Sequence, residues 1–96
     1  MVALAYDQLC TFEFGCAVEL FALPRPELSV PWYEFAVCAA ERGPLRAAGG
    51  LQVRVPHGLK LLECADTIVI PGWRAIEEPP PPALTTKLRA AYARGA

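Results

Sequence analysis

No run of apolar residues in this chain approaches the roughly 18 needed to cross a bilayer, so no membrane span is expected. An excess of charge of one sign is missing too. Nine Lys and Arg stand against ten Asp and Glu, a formal net charge of −1, which makes this segment by itself a poor nucleic-acid surface. Histidine occurs once, at His57, and there is no Cys-x-x-Cys spacing, so neither a zinc site nor a cofactor site is expected. The stretch from Met1 to Asp7 has no basic n-region, so no signal peptide is expected. Cys10, Cys16, Cys38 and Cys64 are therefore read as free thiols in a reducing cytoplasm. What is present is a packed composition, 54% hydrophobic and 20% charged, which excludes a disordered chain. The 96 residues suffice for one domain at most, with a small core.

Residues 2–6 form a short apolar run that predicts a buried strand covered on both faces. Asp7-Gln8-Leu9 predicts a turn, and Thr11 to Leu23 a helix whose apolar face is Phe14, Ala17, Val18, Phe21 and Ala22. Pro24 and Pro26 end it. Trp32 to Ala40 predicts a second strand. Gly49-Gly50 between Leu45–Ala48 and Leu51–Val55 is a hairpin signal, and alternation of Leu51, Val53 and Val55 with Gln52 and Arg54 gives that ribbon one wet face. Gly58 to Cys64 predicts a short helix. Thr67 to Ile70, the most β-branched run, predicts a central parallel strand. After the stiff Pro79–Pro82 loop, Ala83 to Ala93 predicts an amphipathic helix stopped by Gly95.

Strands alternating with helices argue for an α/β fold with a parallel sheet. Ligands of such sheets bind outside the carboxyl ends of the strands. Four residues fall at that edge as candidates for binding. Cys10 is either a thiol activated by the helix N-terminus or a small buried residue, and the second reading leads because no histidine is near it in sequence. Glu13 either lines the pocket or answers the helix dipole. Gly72 either turns its N–H toward an anion or ends a strand. Trp73 either stacks on a ligand or caps the core. Cys16 and Cys38 are expected in the core, and His57 on the surface. The helix ending at Gly95-Ala96 leaves the edge of Thr67–Ile70 bare, so the chain is expected to be the N-terminal portion of a larger domain, or a partner covers that edge.

Asp7-Gln8-Leu9, Phe12-Glu13-Phe14, Val18-Glu19-Leu20-Phe21, Gly49-Gly50 and the run from Ala65 to Trp73 together resemble the ThiJ/PfpI group of the class I glutamine amidotransferase-like fold. They are most similar to such domains at the N-terminus of AraC-type transcriptional regulators. The resemblance implies a three-layer, flavodoxin-like parallel sheet of which residues 1–96 are an incomplete N-terminal part. It places the nucleophile-elbow strand, with its cysteine, and any helix-turn-helix DNA-binding domain outside this chain. Enzyme members carry a glutamate where Cys10 stands and a second glycine where Trp73 stands, and both departures speak against their chemistry here. The implied role is a non-catalytic sensor and dimerisation domain, cytoplasmic and homodimeric, with a small-molecule effector and DNA contacted only through the absent domain. The alternative is a fragment of a small-molecule hydrolase or hydratase of the same fold.

Overall fold

The computed structural model describes residues 1–96. The apolar run near the N-terminus forms strand β1, Val2–Ala5, and all four of its residues are buried. A residue covered on both faces has to be apolar on both, which is why Val-Ala-Leu-Ala shows no alternation. β2, Ala36–Ala39, pairs parallel with it from Val2↔Ala36 to Ala5↔Ala39. β5, Ile68–Val69, pairs parallel on the other side through Val2↔Ile68 and Ala3↔Val69. The strand order is therefore β2-β1-β5, with β1 at the centre. Thr67–Ile70, expected to be central, is instead a short edge strand, and Ile70 is 48% exposed. Its β-branched composition reports fit to a pleated surface, which an edge strand shares with a central one.

Helix α1, Thr11–Ala17, follows β1 and continues through a π-helical turn at Val18–Ala22, so the expected helix is present with a change of winding halfway. Ala17 is buried and Phe14, Val18, Phe21 and Ala22 are half-buried, as the apolar spacing predicts. Cys16 falls off that face and is exposed, against the expectation of a core position. The strand expected from Trp32 begins only at Ala36. Trp32 and Tyr33 instead pack on the helix, where the Trp32 indole N–H donates to Phe21 O at 2.9 Å and the Tyr33 ring meets Phe21 edge-on.

The ribbon is shorter than the glycine pair suggests. β3, Leu45–Arg46, and β4, Gln52–Val53, are antiparallel, and the chain between them makes a 3₁₀ turn at Ala48–Gly50. Gly49 and Gly50 both have positive φ, 72° and 79°, which is the reason for two glycines there. Leu59–Cys64 forms the short helix expected of it, as a 3₁₀ helix. Helix α2, Pro82–Arg94, starts on a proline, whose missing N–H costs nothing in a first turn. It ends at Gly95 with φ 106°. Arg94 ties it to the 3₁₀ helix by donating to Leu62 O and Ala65 O.

These elements cover the two faces of the sheet. Val2, Leu4 and Cys38 pack with Leu62, Ala65 and Leu84, from the 3₁₀ helix and α2. Ala5 and Ala39 pack with Leu9 and Leu45, with Phe14 of α1 and Val53 of the ribbon against them. Burial pushes the Cys38 thiol up to about 11. The four cysteines are unpaired. No helix is long and apolar enough to cross a membrane.

Candidate functional site

The chain leaves β1 for α1 and returns through β2 on one side and β5 on the other. The loops after β1 and β5 therefore meet over the carboxyl end of the sheet, where open parallel sheets hold ligands. Tyr6 stands at the end of β1, 1% exposed, and its hydroxyl donates to Pro71 O at 2.8 Å. Burial first, and the neighbouring Cys10 thiol second, push that hydroxyl up to about 12, so it stays a donor across physiological pH. The Trp73 ring lies against Tyr6, with centroids 5.0 Å apart at 49°. Its indole N–H donates to Glu78 O at 2.8 Å.

Cys10 immediately precedes α1 and is half-buried, with its Sγ 3.8 Å from Trp73 O. Gly72 has φ +79°, and a Cβ built on it would lie 3.4 Å from the Tyr6 hydroxyl and 3.6 Å from the Cys10 sulfur. These are ordinary contact distances, so glycine is required here for its dihedral rather than for space. The Gly72 N–H does not face an open site. It donates to Ile70 O at 3.0 Å, which removes the donor that an anion nest at this turn would need.

Arg74, which sequence reasoning passed over, holds the crevice together. Its side chain is 11% exposed and lies 4.6 Å over the Trp73 ring. It donates to Glu41 Oε1 at 2.5 Å, to Glu78 Oε2 at 2.8 Å and to Asp7 O at 3.3 Å. One guanidinium thereby joins the loops after β1, β2 and β5. The only sequence signal for it is a lone arginine after Pro-Gly-Trp, with Glu78 four residues on. Asp7 itself receives the Arg46 backbone N–H at 2.8 Å and the Arg46 guanidinium, which hold its carboxyl well below the usual carboxylate range. That pair fastens the ribbon to the end of β1.

The structure therefore brings Cys10, Gly72 and Trp73 together, at positions more than sixty residues apart. Glu13 sits in the first turn of α1, exposed and without a hydrogen bond, and reaches the cluster only through its charge on the Tyr6 hydroxyl. The space among Leu4, Tyr6, Glu41, Trp73 and Leu84 has no room for a water molecule. The Cys10 thiol has no histidine or carboxylate hydrogen-bonded to it, so a nucleophile–base pair is not assembled here. No group of three His, Cys, Asp or Glu side chains is placed to hold a metal ion. No family model, curated protein or solved structure matches the chain.

Proposed function

We propose that this chain is the N-terminal, amidotransferase-like sensor and dimerisation domain of an AraC-family transcriptional regulator, and that it performs no catalysis itself. The observation that carries the reading is the meeting of Cys10 with Gly72-Trp73 beyond β1 and β5. The strand order β2-β1-β5 is compatible with the opening of a flavodoxin-like 2-1-3 sheet, and the place where that order reverses is where such folds hold their ligands, which supports the reading. Cys10 and Trp73 stand there in place of the glutamate and glycine of the enzyme members of the resembling family. Trp73 and Arg74 fill the crevice, so an effector would enter by displacing them, and the energy of that displacement would bias the rest of the protein.

Immunoprecipitation from cells with an antibody against this domain, followed by sequencing of the bound DNA, tests the regulator. Enrichment at a few discrete loci is the expected result. Recovery of the protein with no enriched DNA would remove the reading. Sedimentation of the 96-residue chain tests dimerisation separately, and a monomer at tens of micromolar would confine this domain to sensing.

A further inference from the structure

A second place on the molecule, away from the crevice, is open. Along the outer edge of β2 lies a hollow of about 470 Å³ walled by Phe14, Phe35, Val37, Val53 and Val55. That volume falls within the ordinary range of small-molecule sites. Its walls come from α1, β2 and the ribbon, so it belongs to the sheet face opposite α2.

Its polar groups share one character. Successive N–H groups of a strand point to alternate edges. Ala36 N–H donates to Met1 O, on the β1 side, and Ala39 N–H donates outward to His57 O. The N–H of Val37 therefore points to the same outer edge, where the chain meets β2 only at the Cys38↔His57 bridge and no carbonyl accepts from Val37. Arg54 and His57 line the same hollow, and no carboxylate does. Arg54 takes part in none of the ion pairs of the chain, which join Arg46 to Asp7, Arg74 to Glu41 and Glu78, and Lys87 to Glu63. An apolar cavity whose polar lining is a free backbone donor, an unpaired guanidinium and an imidazole is complementary to an apolar body with an anionic head.

We propose that this hollow binds a small monocarboxylate with an aromatic or branched apolar body, which packs on Phe14, Phe35 and the valines and turns its carboxylate to Arg54 and the Val37 N–H. This goes beyond the regulator reading and stands without it, because the site uses none of Cys10, Gly72 or Trp73.

The test is an amide-resolved NMR titration of the 96-residue chain with 3-phenylpropionate, with 3-phenylpropanol as its neutral twin. The carboxylate is expected to shift the amides of Val37, Val53 and Val55 and to bind more tightly than the alcohol. Arg54→Gln, at an exposed position, should weaken the carboxylate about tenfold and leave the alcohol unchanged. Val53→Phe should fill the hollow and abolish both. No shifts at millimolar ligand would overturn the proposal, as would equal binding of the two compounds. Shifts confined to Tyr6, Cys10 and Trp73 would overturn it too, by placing the ligand in the other crevice.

Discussion

Two places along the same small sheet have opposite characters. The crevice over the ends of β1 and β5 is full: an indole lies on a phenol, a guanidinium lies on the indole, and two carboxylates hold the guanidinium. The hollow along β2 is open, apolar and bordered by His57 and by Arg54, which joins no ion pair. The difference teaches that position in the fold and readiness to bind are separate properties. The first place has the location of a ligand site and the packing of a core. The second has an unremarkable location and the space.

The largest effect that would break this contrast comes from Trp73→Ala. Trp73 touches the apolar clusters on both faces of the sheet, so its removal should lower unfolding free energy by about 3 kcal/mol in urea denaturation. A loss under about 1 kcal/mol would make the indole a loosely held lid and restore it as a ligand platform. Arg74→Gln comes next, at about 1–2 kcal/mol. It strands Glu41 beside an apolar wall, and the partial exposure of both carboxylates holds the cost below that of a fully buried pair. The loss should persist at high salt, and a loss that vanishes with salt would mean the guanidinium is effectively at the surface.

Tyr6→Phe should cost about 1 kcal/mol for the bond to Pro71 O. It also carries a pH signature. The folded hydroxyl titrates near 12 and an unfolded one near 10, so below pH 10 both states are protonated and the Tyr6 contribution is complete. Between pH 10 and 12 the unfolded chain releases the proton first, and stability falls as pH rises. Thermal midpoints followed through that window should drop less steeply in the phenylalanine variant. An unchanged slope would show that Tyr6 is not closed off from water. The smallest effect is expected on the open side. Val53→Phe should change stability by less than about 1 kcal/mol, because the added ring has somewhere to go, whereas a loss above about 2 kcal/mol would mean the hollow closes in solution.

The sequence made the packed side more legible than the open one. Continuous apolar residues announced β1, the helical spacing of Phe14, Ala17 and Phe21 announced α1, and the run into Pro71-Gly72-Trp73 announced the turn that meets Cys10. Strand extent was not legible at Trp32–Phe35, because a β-forming composition says nothing about whether a partner strand reaches that far. Arg74 was invisible because its partners Glu41 and Asp7 lie 33 and 67 residues away. The hollow was invisible for a related reason. Phe14, Phe35 and Val55 each look like ordinary core residues, and a void is a property of how elements fail to meet, which periodicity does not encode.

The brevity of β5 has a kinetic meaning. Trp73 hangs from a strand joined to the sheet through two residue pairs, with its other edge bare. Such a segment belongs to the class that detaches without global unfolding, while Ala3 and Ala5 at the centre wait for the whole domain to open. The full crevice is therefore held at its weak edge by side chains more than by strand pairing: opening it with the end of β5 would break the Tyr6–Pro71 and Arg74 bonds and unseat Trp73, while the centre of the sheet stays paired.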